Sequence, residues 1–143
     1  MNKRTLLHTF LFVLLCISPV LAELPSDTET KRQLVGDWVA DKQPGLVAAT
    51  TKFKPDGTFS SDATFMAPDG QITIKVEGKW RVERGVLIEE LTRSSHPNIV
   101  RPGLVTRDTL ISLTKDKCRY RNKEDKEHAL LRAADAVKPL PEK

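Results

Sequence analysis

The sequence has few of the residue types that metal sites, disulfide frameworks and nucleotide sites require. Its 143 residues include two cysteines, Cys16 and Cys118, and three histidines. No spacing between these residues fits a zinc site, and no glycine-rich loop opens a helix as nucleotide-binding motifs do. We therefore expect no metal and no cofactor. We also expect no catalytic residues, because no nucleophile, acid–base pair or metal set is recognisable.

Long apolar runs are also scarce, and the one that is present lies at the N-terminus. Lys3 and Arg4 precede a mostly apolar stretch at residues 6–15, and small or compact residues lead up to Ala22. This pattern is typical of a secretory signal peptide over residues 1–22. We expect cleavage near Ala22 and a periplasmic or secreted protein. An uncleaved membrane anchor and lipid attachment at Cys16 are the alternatives.

Removal of this leader changes both the cysteine count and the charge. The whole chain has a formal net charge of +4, with 23 basic and 19 acidic residues. The leader holds two basic residues and no acidic one, so the mature chain would carry 21 against 19, or +2. Such a balance gives no argument for nucleic acid. Cys118 is left without a disulfide partner and is predicted to be a buried small hydrophobic residue; a reactive thiol is the alternative.

The clearest structural signal is a strict alternation of apolar and polar residues between Ile72 and Val82. A period of two predicts a strand with one buried and one solvated face. Gly78 lies within this strand and can bend it without a side-chain penalty. Weaker alternations occupy residues 49–53 and 59–65.

Turn residues separate the alternating segments. Asp56-Gly57 and Asp69-Gly70 are strong hairpin signals, since glycine supplies the positive φ that tight turns need. The sequence predicts about eight strands, over residues 38–40, 49–53, 59–65, 72–82, 86–91, 109–114, 118–122 and 128–133. Successive hairpins build a meander, and its closure removes exposed edges. We predict an all-β fold, an eight-stranded antiparallel up-and-down barrel over residues 34–133; a two-sheet sandwich would need longer crossovers.

Both ends of the mature domain differ from this β pattern. Residues 23–33 form a polar lead-in and a short N-terminal helix, because Ser26 followed by Glu29 fits a capping box. The segment 127–137 contains good helix formers, so a C-terminal helix is an alternative to the last strand. Residues 134–143 are predicted to be a tail.

The tripeptide Gly36-Asp37-Trp38 lies between the predicted helix and the meander. In that position it resembles the Gly-x-Trp signature of the lipocalins and their calycin relatives. In that family the tryptophan plugs the closed end of the barrel, and an arginine or lysine packs across the indole. Arg132 matches that role by position. The resemblance covers residues 34–133, is nearest to small lipocalin-like proteins of bacterial envelopes, and implies a ligand site at the open end.

Several side chains are candidates for that site. A predicted loop over residues 94–108 would form a rim, and adjacent Glu89 and Glu90 must point to opposite faces of a strand, so one carboxylate faces inward. A structural ion pair or a bulge is the alternative use of that carboxylate. The candidate ligand-binding residues are Phe59, Phe65, Ile74, Val76, Glu90, His96 and Tyr120.

A run of basic residues occupies alternate positions near the C-terminus: Lys115, Lys117, Arg119, Arg121 and Lys123. On one strand these side chains project together, opposite Cys118 and Tyr120. The stripe could hold an anionic surface, or it is a solvated face that discourages edge pairing.

These observations predict an exported, monomeric, non-catalytic binding protein that holds a small apolar or amphipathic molecule. The alternative is a protein-interaction or enzyme-inhibitor module that acts through its loops and basic strand face. Its partner would then be an envelope protein or an anionic surface.

Overall fold

The computed structural model describes residues 24–136, which form one helix, eight strands and a final helical turn. The elements are α1 (Asp27–Leu34), β1 (Gly36–Ala40), β2 (Leu46–Phe53), β3 (Thr58–Ala67), β4 (Gly70–Glu83), β5 (Val86–Ser94), β6 (Val105–Leu113), β7 (Lys117–Arg121), β8 (Glu127–Arg132) and α2 (Ala133–Ala136). The predicted signal peptide and most of the predicted tail lie outside the described residues. Within them, no helix has the length and apolar character needed to cross a membrane.

The strands form a closed barrel in the order β1 to β8, and every neighbouring pair is antiparallel. Closure comes from β1 and β8, where Trp38 lies opposite Arg132 and Ala40 opposite Leu130. The predicted all-β up-and-down barrel with a short N-terminal helix is thereby confirmed. The segment that could have been strand or helix is the strand β8, followed by one helical turn.

β6 shows the largest shift of a strand start from the sequence prediction. β6 begins at Val105 rather than near residue 109, so the loop before it spans residues 95–104 instead of 94–108. The inward positions at this end of β6 are the polar Thr106 and Asp108. The alternation of apolar residues that marks a half-buried strand is therefore missing there.

The two ends of the barrel differ. Turns 54–57, 84–85 and 114–116 lie at the end covered by α1, which we call the closed end. There the Asp27 carboxylate accepts hydrogen bonds from the backbone N–H groups of Arg84 (2.6 Å) and Gly85 (3.0 Å). These bonds fix the start of α1 on the β4–β5 turn. Loops 41–45, 68–69, 95–104 and 122–126 surround the opposite, open end.

Trp38 and Arg132 seal the closed end, as the resemblance implies. Trp38 is fully buried, and its indole N–H donates to the carbonyl of Leu34 at 2.7 Å. The Arg132 guanidinium carbon lies 3.8 Å from the centre of the indole ring. Stacking of this kind adds cation–π attraction to the burial of both groups.

Arg132 also satisfies backbone groups from three directions. Its Nη1 donates to the Val35 carbonyl (2.9 Å), its Nη2 to Gln33 (2.6 Å) and its Nε to Lys115 (3.1 Å). The last carbonyls of a helix have no partner within the helix, so Arg132 and Trp38 together cap α1. Gly36 makes room for this contact: its φ is +128°, and a Cβ there would lie 2.6 Å from Arg132 Nη1.

The apolar core fills the half of the barrel next to the closed end. Phe53 packs between Trp80 and Phe59, with ring centroids 4.9 Å and 6.3 Å away. A Cβ at Gly78 would lie 2.1 Å from the Glu90 carbonyl oxygen. The β4–β5 register shifts next to Gly78, the position at which the sequence predicts a bend. The other members of the core include Leu34, Trp38, Val82, Leu87, Leu91, Leu110, Cys118 and Leu130.

Replacing Arg132 with lysine tests this seal. Lysine keeps the charge but cannot reach three carbonyls with one rigid group. We expect Arg132→Lys to lower the free energy of unfolding by about 2–4 kcal/mol, the value of two lost charge-assisted hydrogen bonds. Urea unfolding followed by tryptophan fluorescence measures the change. The control Arg81→Lys alters an exposed ion pair and should cost less than about 1 kcal/mol; equal effects of the two substitutions would contradict the assigned role of Arg132.

Candidate functional site

One wall of the barrel interior is polar near the open end. Side chains on alternate residues of β5, β6, β7 and β8 face inward, as the buried Leu87, Leu110, Cys118 and Leu130 show. Toward the open end the inward positions of β6, β7 and β8 become polar or ionisable, whereas on β5 Glu89 lies between the core residues Leu87 and Leu91. We call this set the polar wall; it consists of Glu89, Thr106, Asp108, Tyr120, Asn122 and His128.

The inward carboxylate of the adjacent pair is Glu89, which corrects the prediction of Glu90. Leu87 and Leu91 are both in the core, so the residue midway between them shares their face. Glu90 is exposed on the outer face of β5. The sequence shows that one of the two carboxylates must face inward, and the phase of β5 decides which.

Glu89 is poorly compensated in its position. Thr106 Oγ1 donates to Glu89 Oε2 at 3.3 Å, and no other hydrogen bond reaches this carboxylate within the described residues. Desolvation, reinforced by the charge of Asp108, raises the pKa of Glu89 to about 7. Desolvation also raises the pKa of Asp108, against an opposing effect of His128. The two carboxylates therefore share a site in which ionisation is costly.

The hydrogen bonds of Asn122 determine the orientation of its amide and the role of His128. Asn122 Oδ1 accepts from the backbone N–H groups of Glu124 and Lys126, at 3.0 Å each. Its Nδ2 then faces His128 Nε2 at 3.3 Å. An amide nitrogen can only donate, so Nε2 accepts, and this network assigns the proton of a neutral imidazole to Nδ1.

Tyr120 packs beside His128, with ring centroids 5.7 Å apart. Burial raises the pKa of its phenol, and the nearby carboxylates of Asp108, Asp41 and Glu89 raise it further. The hydroxyl is therefore a neutral group that can donate or accept a hydrogen bond.

The barrel wall is incomplete beside this set. β6 pairs with β5 from Thr109 up to Val105, whereas its pairing with β7 stops at Thr109 opposite Arg121. We call Val105–Asp108 the upper β6 edge. No backbone hydrogen bond joins this edge to the β7–β8 turn in the part of the chain that the structure describes.

A cavity of about 400 Å³ lies along the upper β6 edge. Its inner side is polar and its rim combines two apolar with two basic side chains. The lining residues are Glu89, Leu104, Val105, Thr106, Arg107, Asp108, Asn122 and Lys123. The cavity thus connects the polar wall to the outside through the gap between β6 and the β7–β8 turn.

A larger hollow of about 840 Å³ lies at the closed end, between α1 and the turn at residues 114–116. Its main polar group is Arg132, which is already engaged by three carbonyls. Glu29, also on its rim, is paired with Arg32. Lys115 and Asp116, which also line the hollow, form no ion pair within the described residues, but they lie on an exposed turn where solvent screens their charge.

Exposed apolar side chains gather around the open end. Among the described residues, the large hydrophobic side chains that are exposed are Val47, Phe65, Met66, Ile99, Leu104 and Val105, and each lies on an open-end loop or strand terminus. The loop 95–104 folds back so that Val100 packs against the core. The top of the barrel is thus partly covered by this loop, while the side opening remains beside Leu104.

The candidate ligand-binding residues lie outside this cavity. Phe59 is buried in the core, and Ile74 and Val76 face inward on β4. Phe65 is 37% exposed at the open end. Whether these residues contact a ligand stays a prediction.

Of the remaining candidates, His96 and Tyr120 are also absent from the cavity lining. His96 is on the 95–104 loop, where its Nδ1 pairs with Ser95 Oγ at 2.8 Å, and Tyr120 belongs to the polar wall. The sequence reasoning missed Thr106, Asp108 and Asn122. The polar alternation of Thr106 and Asp108 is visible in the sequence, but polar alternation does not distinguish an inner from an outer face.

The basic stripe faces outward, and its central members are paired. Arg119 and Arg121 both donate to Glu127, at 2.7 Å and 2.9 Å, and Arg121 also pairs with Asp125 at 3.3 Å. These pairs reduce the charge that the stripe presents. The geometry agrees with a solvated face.

Metal ligands and a reactive thiol are not features of this site. Residues 24–136 bring no three histidine, cysteine or acidic side chains together in a metal-binding arrangement. Cys118 is fully buried, and desolvation raises the pKa of its thiol to about 12. Since the thiolate is the reactive form, this environment disfavours cysteine chemistry.

Comparisons with known proteins add little to this description. No protein-family model matches the chain, and no curated protein matches it. A lipocalin-like protein from Bacteroides uniformis is 14% identical with a TM-score of 0.48, over 70% of this chain and 98% of that one. An uncharacterized protein from Bacteroides eggerthii is 18% identical with a TM-score of 0.45, over 69% and 98%. Neither likeness carries an argument about function; the closed eight-stranded topology, sealed by a helix, is itself lipocalin-like.

The raised pKa of Glu89 predicts a pH-dependent stability. An unfolded carboxyl group ionises near pH 4.5, whereas folded Glu89 keeps its proton up to about pH 7. Between these values the folded state binds more protons, so the free energy of unfolding falls as pH rises, by at most about 1.4 kcal/mol per pH unit. We expect Glu89→Gln to remove this loss and to be about 2–3 kcal/mol more stable than the original protein at pH 8.

Urea unfolding at several pH values between about 4 and 8 measures this difference. The two proteins should converge at the acidic end, where Glu89 is neutral in both folded and unfolded states. The control Glu90→Gln removes the same charge from the outer face and should change stability by less than about 0.5 kcal/mol. A Glu89→Gln curve parallel to that of the original protein would show that Glu89 is not desolvated.

Proposed function

We propose that this protein is an exported, non-catalytic binding protein that holds a small amphipathic molecule in the cavity beside the polar wall. The observation that carries the proposal is the cavity itself, which opens between the upper β6 edge and the β7–β8 turn. Its volume of about 400 Å³ is within the usual range for small-molecule sites. Its lining combines six polar or charged residues with the apolar side chains of Leu104 and Val105, and this mixture suits a ligand that is itself partly polar.

The shape of the site supports an amphipathic rather than a wholly apolar ligand. Glu89 and Asp108 lie at its inner side, while the exposed Leu104 and Val105 lie at its rim. An apolar molecule would leave both carboxylates without new partners and would displace their water, which costs free energy. A molecule with a polar end can compensate them.

Hydrogen-bond geometry supports a non-catalytic role. Ser95 and His96 form a hydrogen bond on the rim loop, but no carboxylate in the described part of the chain hydrogen-bonds the His96 ring. A serine–histidine mechanism needs such a third group to orient the base. The cysteine is buried, and the hydroxyl that hydrogen-bonds a wall acid within the described residues is that of Thr106, which donates to Glu89.

Export follows from the sequence of residues 1–22, and it has a direct test. We expect cells of a Gram-negative bacterium that express the full chain to accumulate a protein whose N-terminus is Glu23, in the periplasmic fraction or the medium. Intact-mass measurement reads this terminus. A protein that keeps Met1, or one that begins at a lipid-modified Cys16, would contradict cleavage after Ala22.

A neutral fluorescent probe, N-phenyl-1-naphthylamine, tests the cavity. We expect saturable binding with an increase in fluorescence, because the probe leaves water for a partly apolar site. Leu104→Trp places a large ring on the cavity rim and should weaken binding at least about tenfold. Val47→Trp is its matched control: both residues are 47% exposed at the open end, and Val47 does not line the cavity.

Two results would count against the proposed site. Absence of saturable probe binding to the folded original protein would remove the cavity as a binding site. Equal effects of Leu104→Trp and Val47→Trp would place the probe on the exposed apolar rim instead. Native mass spectrometry of protein from its own host detects any retained small molecule as an increase in the measured mass.

A protein-interaction module is the second candidate, and the upper β6 edge is the observation that favours it. Val105 and Arg107 direct backbone N–H and C=O groups away from β5, where an extended peptide could add as a strand. The same native mass spectrum separates the candidates. A polypeptide partner adds thousands of daltons, whereas a small molecule adds a few hundred.

A further inference from the structure

The two carboxylates of the polar wall are neighbours on the inner face of the barrel. Glu89 lies opposite Thr106, and Asp108 lies opposite Leu87, so the carboxylates occupy diagonal positions on adjacent strands. Diagonal positions are close enough for longer side chains to interact. Within residues 24–136, no lysine, arginine or histidine forms an ion pair with either acid. The wall therefore holds two carboxylates that no salt bridge neutralises, and His128 is the basic group whose charge lowers the pKa of Asp108.

Glu89 has an oxygen without a donor. Thr106 donates a hydrogen bond to Oε2, while Oε1 receives none from the described residues. The carboxylate borders the cavity. Since no buried side-chain oxygen in the described part of the chain lacks a partner, Oε1 is open to the cavity, where the donors of a ligand can replace water.

The backbone adds both donors and acceptors at the rim of this cavity, so the preference for a donor group comes from the two carboxylates. The Leu104 carbonyl accepts from Leu91, and Leu110 N–H donates to Gly85. Even-numbered residues of β6 therefore direct their backbone groups toward β5, and the odd-numbered Val105 and Arg107 direct theirs toward the gap. Among the side-chain donors that line the cavity, Thr106 and Asn122 are already engaged by Glu89 and His128, and Arg107 and Lys123 lie at its outer side.

A compact group with several donors and a positive charge fits these acceptors. An ammonium group has three N–H donors and no acceptor. A metal ion would instead need three or more side-chain ligands, an arrangement absent from the described residues. We infer that the polar end of the proposed ligand is an alkylammonium group that binds between Glu89 and Asp108, with its apolar part against Leu104 and Val105; this inference rests on the proposed function.

Arg107 and Lys123, also on the cavity lining, do not reverse this preference. Both are exposed at the outer side of the cavity, where solvent and salt screen their charge. Charges 4 Å apart interact roughly four times more strongly at an effective dielectric constant of 20 than in water. The partly buried Glu89 and Asp108 therefore dominate at the inner side.

Three ligands with the same chain and different charge test the inference: decylamine, decanol and decanoate. Displacement of N-phenyl-1-naphthylamine gives their affinities for the full mature protein. We expect decylamine to bind at least about tenfold more tightly than decanol, the value of one charge-assisted hydrogen bond. Decanoate should bind more weakly than decanol, because the inner carboxylates repel it.

The ratio of decylamine to decanol affinity, measured in carboxylate variants, shows which carboxylates bind the ammonium group. Glu89→Gln, which keeps the side-chain shape, should reduce this ratio to within about threefold, and Asp108→Asn provides a second variant if the first does not fold. Glu90→Gln removes the same charge from the outer face of the same strand. It should leave the ratio unchanged.

Binding should also depend on pH with a defined sign. Folded Glu89 holds its proton up to about pH 7, and an alkylammonium, like a lysine side chain, stays charged well above that pH. We expect decylamine affinity to rise about tenfold between pH 5.5 and pH 7.5 and to be accompanied by proton release in calorimetry, while decanol affinity stays constant. The ionisable groups that face or border Glu89 are Asp108 on β6, Cys118 and Tyr120 on β7, His128 on β8, Asp41 beyond β1, and Arg107 and Lys123 at the rim.

The outcomes separate this inference from the proposed function. Equal affinities of decylamine and decanol, tighter binding of decanoate, or a Glu89→Gln ratio equal to that of Glu90→Gln would overturn the ammonium site while leaving the cavity as a binding site. Failure of the neutral probe and of all three ligands to bind would overturn both.

Discussion

The contact between Trp38 and Arg132 at the closed end is the interaction on which the barrel depends. It joins the first strand to the last, because the two residues lie opposite each other where β1 meets β8. It also holds α1 against that end, because Arg132 and Trp38 donate hydrogen bonds to the carbonyl groups at the end of the helix. One guanidinium thus links closure of the sheet with capping of the helix, and Gly36 must lack a side chain to permit it.

With the closed end fixed and the core concentrated beside it, the open half of the barrel can carry groups that do not contribute to stability. Glu89 and Asp108 are partly buried there, at a cost that their raised pKa values express. The β6–β7 ladder is likewise incomplete at the same level. Poorly compensated groups and an unpaired edge are expected where a structure serves binding rather than packing.

The fold was predictable because its signals are local. The alternation through β4 and the Asp-Gly turns at Gly57 and Gly70 define hairpins, and a run of hairpins leaves few topologies. The candidate site was less predictable. The interior positions of upper β6 are polar, so Thr106 and Asp108 resemble a solvated segment. The sequence therefore predicts a loop for that part of the strand. Of the apolar residues predicted to face the interior, Phe59 belongs to the packed core and Phe65 is exposed at the open end, and neither lines the cavity.

The sequence by itself determined that the chain has a barrel of eight strands, a tryptophan-sealed end and one inward carboxylate in the Glu89–Glu90 pair. The barrel and the inward carboxylate follow from periodicity and turn chemistry, which act over a few residues, whereas the sealed end is what the resemblance of Gly36-Asp37-Trp38 implies. Tertiary structure decided that the inward carboxylate is Glu89, that Asp108 lies near it, and that a gap opens beside them. Those facts depend on strand phase and on where one ladder stops, and both are set by contacts between segments far apart in the chain.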